Sequence, residues 1–247
     1  MGSEMCIRDS FMFNFDFYNP THIVFGKDRL GELDTLVPKD AKVLITYGGG
    51  SAVRSGLIDR IVKALGNRKV EQFGGIEPNP SLETCERAVA FIKEHGVDFV
   101  LAVGGGSVVD ATKLIVMGAT YDGPVIEVMK AGVPAVPVEM VPNPLPFGTV
   151  MTLPATGSEM NNGAVITYGD GKYPVFSSLV FPKFSMLDPT LTFTLPERQV
   201  KNGVIDTFVH TTEQYLTYPV EGRIQDRFSE GIFCLLYTSD AADDLTR

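Results

Sequence analysis

Five consecutive apolar residues, Phe99-Val100-Leu101-Ala102-Val103, run into Gly104-Gly105-Gly106-Ser107 and then into a stretch with helical periodicity over residues 108–117. An apolar run without alternation marks a strand buried on both faces, and such strands belong to parallel sheets covered by helices. Glycines at the turn let backbone approach a ligand closely, and the helix that follows offers free N–H groups and the positive end of its dipole to a phosphate. A diphosphate fits such a place, although a glycine turn of this kind can also do no more than join strand to helix. The same grammar occurs earlier. Lys42-Val43-Leu44-Ile45-Thr46 is a buried-type strand leading into Tyr47-Gly48-Gly49-Gly50-Ser51, followed by helical periodicity over residues 57–65. Residues 70–73 read as a strand, and 80–95 as an amphipathic helix started by Asn79, with Pro80 in its first position, and ended by Gly96. Repeated strand–helix alternation sets the fold class as α/β, with a Rossmann-like parallel sheet.

The remaining text is more broken. Phe13-Asn14-Phe15-Asp16-Phe17 alternates with period two and Ile23-Val24-Phe25 follows the Asn19-Pro20 turn signal, so the entry reads as a hairpin. Residues 118–146 are rich in Pro and Gly and read as loop with short strands. A strand over 148–153 precedes the turn Pro154-Ala155-Thr156-Gly157-Ser158-Glu159, which offers hydroxyls and backbone amides. Val165-Ile166-Thr167 and Val175-Phe176 pair across Gly169-Asp170-Gly171, and Ser185-Met186-Leu187 leads to Asp188-Pro189. Past Leu195-Pro196 everything to residue 233 reads as helical, broken near Pro219.

Within that helical part, Asp206 and His210 are four residues apart and so share one face, one turn apart. A carboxylate oxygen with an imidazole nitrogen suits a divalent ion such as zinc or iron and leaves positions for further ligands and a substrate oxygen. On spacing alone the pair reads as a surface Asp–His contact supporting a helix, and it is the surrounding motifs that favour a metal. The net charge of −9, with no Lys/Arg cluster, argues against nucleic-acid and anionic-membrane partners. No run has membrane-spanning length and no secretory signal opens the chain, so the expectation is cytoplasmic.

Both ends look foreign. Met5-Cys6-Ile7-Arg8-Asp9-Ser10 resembles the translation of a transposase mosaic end used in sequencing libraries, and Cys234-Leu235-Leu236-Tyr237-Thr238-Ser239 that of its reverse complement. Residues 1–11 and 234–247 are therefore set aside as adapter-like, and of three cysteines only Cys85 is left, with no disulfide framework.

Taken together, Gly104-Gly105-Gly106-Ser107 with Asp110, Thr152-Leu153-Pro154-Ala155-Thr156-Gly157-Ser158-Glu159, Asp188-Pro189 and Gly203-x-x-Asp206-x-x-x-His210 with Glu213 closely resemble the iron-type (group III) alcohol dehydrogenases. The resemblance is nearest to the NADPH-dependent aldehyde reductase and butanol dehydrogenase branch, through Ile45-Thr46-Tyr47-Gly48-Gly49-Gly50-Ser51 and Phe73-Gly74-Gly75-Ile76-Glu77-Pro78-Asn79-Pro80. It implies a dehydroquinate synthase-like architecture: a Rossmann-like domain over 12–196, then the start of an all-helical, metal-binding domain over 197–233, with the active site between them. It implies that Gly105, Gly106 and Ser107 hold the cofactor diphosphate, that Thr152 and Thr156 line the cofactor's inner half, and that Lys172 reaches the cofactor. Ser158 is counted with this set. Asp206 and His210 match the first two metal ligands; the family's other two are histidines further downstream, and since the chain has only His22, His95 and His210, a truncated chain is expected.

The implied activity is hydride transfer between NAD(P)H and a simple aldehyde or alcohol, with zinc or iron, in a protein that is a homodimer when full length. An inactive nucleotide-binding fragment and a glycerol-phosphate-type dehydrogenase stand as alternatives. NADP is preferred to NAD for a reason visible in the residues: the strand ending at Thr46 delivers Gly48, Gly49, Gly50 and Ser51 with no carboxylate to repel a 2′-phosphate.

Overall fold

The computed structural model describes residues 18–132, 135–217 and 222–244. The chain opens with β1 (His22–Phe25), a short α1 (Leu33–Leu36), β2 (Lys42–Tyr47), α2 (Ser51–Arg54), α3 (Leu57–Ala64) and β3 (Lys69–Phe73). It continues with α4 (Leu82–His95), β4 (Phe99–Gly105), α5 (Gly106–Thr120), α6 (Val125–Ala131) and β5 (Phe147–Leu153). A hairpin, β6 (Gly163–Tyr168) and β7 (Gly171–Phe176), precedes β8 (Phe184–Leu187), and two helices follow, α7 (Glu197–Leu216) and α8 (Arg223–Asp244).

Six strands form one parallel sheet in the order β1-β8-β5-β4-β2-β3. The period-two geometry of strands explains how the unbroken apolar runs are used. Val43, Ile45, Leu101 and Val103 point into a core shared with Leu33, Ile58 and Ile61. Leu44, Val100 and Ala102 point into a second core with α4, α5 and α6. Both faces of β2 and β4 are therefore dry, and β4, flanked by β2 and β5, lies in the middle. Because the strands are parallel, the C-terminal ends of β2, β4 and β5 meet along one edge, which brings residues 48–51, 104–107 and 152–158 together. That edge is where open α/β sheets bind ligands.

Several expectations are corrected. Residues 118–146 are not all loop: α5 runs to Thr120, and α6 buries Val125, Val128 and Met129. The spacing of these three puts them on one helical face, a signal masked by the flanking Gly123, Pro124 and Gly132. Helix α4 starts not on Asn79 but on Ser81, whose hydroxyl accepts the Thr84 N–H, while Asn79 takes a left-handed backbone at φ 55°. Strand β1 pairs in parallel with β8; its expected hairpin partner, residues 13–17, lies outside the described residues. The hairpin of β6 and β7 has the expected antiparallel pairing. Helix α7 ends at Leu216 and α8 begins at Arg223, the expected break at Pro219 lying outside the described residues; α8 carries on to Asp244, through the stretch expected to be adapter-like.

Candidate functional site

Gly106 is buried at the first position of α5, and a Cβ there would stand 2.3 Å from Thr156 Oγ1. Only glycine lets the turn after β5 close onto the start of that helix. No side chain caps α5, so its leading N–H groups keep their capacity to bind an anion. Ser107 follows, half-buried, with its hydroxyl oxygen accepting the Asn79 N–H at 3.4 Å.

Asn79 is a residue that sequence reasoning read only as a helix cap. Its Oδ1 accepts from Lys172 Nζ at 2.8 Å, and its carbonyl accepts from Thr167 Oγ1 at 3.1 Å. One exposed asparagine thus draws the β7 lysine towards Ser107. The signal for it was the Asn-Pro pair, which fits a tight left-handed turn as well as a helix start.

At the end of β2, Gly50 has φ 89° and introduces the single turn of α2, where Ser51 is exposed. Arg54 Nη1 reaches back to the Gly49 carbonyl at 3.4 Å, placing a cation beside this loop. Among residues 48–51 there is no acid.

On β5, Thr152 is half-buried, and Thr156 Oγ1 accepts the Ser158 N–H at 3.3 Å. Ser158 is buried; its hydroxyl donates to Asp110 Oδ1 at 2.6 Å and accepts from Lys113 Nζ at 2.8 Å. Both bonds lead into α5, so this hydroxyl faces the helix. Burial raises the Asp110 carboxyl, against the pull of the Ser158 hydroxyl, the Val165 N–H and Lys113.

Helix α7 lies across the same turn. Asp206 lines a cleft of about 260 Å³ with Leu153 and Ala155, and His210 one of about 400 Å³ with Thr156 and Gly157. His210 Nε2 and Asp206 Oδ1 are 3.4 Å apart, with side-chain exposures of 55% and 42%. Glu213 Oε2 stands 3.8 Å from Nδ1 on the other side of the ring. The two predicted ligands thus share a face beside the end of β5 and the turn bearing Thr156, and as a donor set they fit half of a divalent site. Among the described residues no group of three or more His, Cys, Asp or Glu is placed to hold a metal. His95 stacks on Phe91 with ring centroids 3.9 Å apart, and His22 sits on the edge strand β1, so neither joins Asp206 and His210.

The fold is α/β, a six-stranded parallel sheet with glycine turns gathered at its carboxyl edge and a helix bearing Asp206 and His210 beside them. The model of the family "iron-containing alcohol dehydrogenase" matches residues 20–189, and the chain belongs to that family. It is 50% identical over 230 residues to the NADPH-dependent aldehyde reductase YqhD of Escherichia coli, covering 91% of this chain and 58% of that protein. It is 44% identical to a probable NADH-dependent butanol dehydrogenase of Bacillus subtilis, covering 90% of this chain and 57% of the relative. The crystal structure of E. coli YqhD superposes with a TM-score of 0.84 at 48% identity, over 90% of this chain and 57% of that one. The chain therefore spans somewhat more than half the length of these relatives. Among the described residues no helix is long and apolar enough to cross a membrane.

Proposed function

We propose that this chain is the nucleotide-binding part, with the first metal-binding helix, of an NADP-linked, metal-dependent aldehyde reductase or alcohol dehydrogenase acting on simple aldehydes or alcohols. The observation that carries the reading is the uncapped N-terminus of α5, held against Thr156 by the side-chain-free Gly106 at the carboxyl edge of the sheet. In this reading residues 12–196 form the nucleotide domain and 197–233 the start of a helical domain. The whole protein is a cytoplasmic homodimer.

Gly105, Gly106 and Ser107 hold the diphosphate through backbone N–H groups and the helix dipole. Lys172, held by Asn79, adds a positive charge on the same side. Thr152 and Thr156 line the inner half of the cofactor, and Ser158 serves by holding the turn that carries Thr156. Asp206 and His210 take two positions on zinc or iron, which when bound polarises a carbonyl while the reduced nicotinamide supplies hydride. The chain's own share is to orient the cofactor and to set the carboxylate and imidazole beside it.

The 2′-phosphate of NADP falls to Gly48, Gly49, Gly50 and Ser51, with Arg54 beside them as a cation. Relatives of both cofactor types exist, by their names, so the preference rests on the lack of an acid at the end of β2 and on Arg54. Fluorescence titration of the chain is expected to give NADPH an affinity roughly tenfold tighter than NADH, about 1.4 kcal/mol. Equal affinities would overturn the NADP assignment.

A further inference from the structure

Helix α5 carries two ionisable groups that the nucleotide reading leaves unused. Gly106, Asp110 and Lys113 are spaced four and three residues apart, on one helical face. Lys113 is fully buried, yet each hydrogen of its ammonium has an acceptor: Ser158 Oγ at 2.8 Å, Asn161 Oδ1 at 2.8 Å and the Gly163 carbonyl at 2.7 Å. Asp110 holds the same segment from the other side, accepting the Ser158 hydroxyl at 2.6 Å and the Val165 N–H at 3.0 Å. Neither side chain lines the clefts beside α7. Burying an ammonium and a carboxylate is a weak route to stability, because desolvation offsets much of what the pairing contributes. The bonds instead converge on one mechanical result, which is that the 156–163 segment is fastened to α5.

We infer that Asp110 and Lys113 are positioning residues for the cofactor cleft: by fastening Ser158, Asn161 and Gly163 to α5 they set how far Thr156 stands from the N-terminus of that helix. The inference rests on the proposed nucleotide reading. It concerns the two walls of the cleft, one being the start of α5 and the other the turn after β5. Because Gly106 and Thr156 are in contact, a small loosening of the turn changes the gap that a diphosphate and the adjoining ribose would occupy.

The charged form of Lys113 is what makes the clamp complete. Burial pushes this lysine down to about 7, against the pull of Asp110 from its own helix and of Glu159 from the turn. As pH rises through that value the amine keeps two hydrogens for three acceptors, and one bond of the clamp is lost.

The test is titration of the 247-residue chain with NADPH, followed by nicotinamide fluorescence, in parallel with thermal melting. Lys113→Met is compared with Leu114→Ala, the next residue of α5, which is fully buried in the apolar core and makes no part of the clamp. Near pH 6, Lys113→Met is expected to weaken NADPH binding about tenfold relative to the unaltered chain, while Leu114→Ala lowers the melting temperature but holds affinity within about twofold. By about pH 9 the Lys113→Met ratio should fall to roughly threefold or less, because the unaltered chain has lost its ammonium. Should Lys113→Met not fold, Asn161→Ala carries the test: it removes one acceptor at an exposed position and is expected to weaken binding roughly threefold near pH 6. Equal losses in Lys113→Met and Leu114→Ala, or a ratio near one, overturn the inference. A large ratio that is the same at both pH values overturns the role given to the ammonium. If the unaltered chain binds no NADPH, the nucleotide reading falls and takes this inference with it; binding that ignores Lys113 defeats the inference alone.

Discussion

Replacing Gly106 by alanine is expected to weaken NADPH binding roughly a hundredfold, about 2.8 kcal/mol. The added methyl would stand 2.3 Å from Thr156 Oγ1, 2.7 Å from its Cγ2 and 3.1 Å from its Cβ. Rotating the threonine does not solve this, since two branches and the β-carbon are all too close. Either the turn of residues 154–159 lifts or the first turn of α5 shifts, and Ser158, buried and bonded to Asp110 and Lys113, resists the first movement. Both movements disturb the N–H groups assigned to the diphosphate. The cost to folding is smaller, of the order of 1–3 kcal/mol as for other overpacked sites. Binding should therefore fail in protein that still melts cooperatively. Gly49→Ala serves as the contrast: a Cβ there meets nothing within 4 Å, and its effect on melting should be slight. Isothermal titration and melting of the two variants decide the matter, and near-normal NADPH affinity in Gly106→Ala would remove the observation on which the proposed function stands.

Zinc binding is the second large effect, and here the expectation is weakness. Asp206 and His210 supply two donors on a helix face that is about half exposed; Glu213 stands on the other side of the imidazole, and among the described residues no group of three His, Cys, Asp or Glu is placed to hold a metal. Water would fill the rest of the shell, so the 247-residue chain should bind zinc no more tightly than ~10 μM, far short of a closed four-ligand site. His210→Ala should remove what binding there is. Reduction of butanal by NADPH should be undetectable with zinc or iron at micromolar concentration. A cleft open to water also lacks the low-dielectric surroundings in which a metal best stabilises an alkoxide. Submicromolar one-to-one binding abolished by His210→Ala would mean that these two donors recruit partners not foreseen here.

How much was legible in the sequence depended on how locally each feature is determined. The β4 strand, its glycine turn and α5 could be read because a run of five apolar residues, three glycines and a helix period all point one way. The same consistency made β2, α3, α4 and the β6–β7 hairpin readable. Helix α6 was not, since its seven residues sit between Gly-Pro and Gly, and local punctuation outweighed the apolar face that tertiary packing uses. Asn79 was misplaced for a related reason: Asn before Pro fits both a helix start and a left-handed turn, and the turn is selected by distant partners, Lys172, Thr167 and Ser107. Lys113 was invisible in principle. A lysine in a helix reads as surface, and nothing local announces that three acceptors some 45 to 50 residues downstream will surround it. Asp206 and His210 were legible as a pair from their spacing, while the clefts they share with residues 153–157 depend on how α7 packs against the end of β5.

The central claim is that a dinucleotide lies along the carboxyl edge of the sheet, with its diphosphate at the start of α5. Hydrogen–deuterium exchange of the chain with and without saturating NADPH tests this directly, because it reads the backbone amides given that role. The prediction is slowed exchange in peptides covering residues 104–108 and 47–51, with residues 22–25 and 223–238 unchanged. Saturable NADPH binding without protection at 104–108, or with protection confined to α7 and α8, would contradict it.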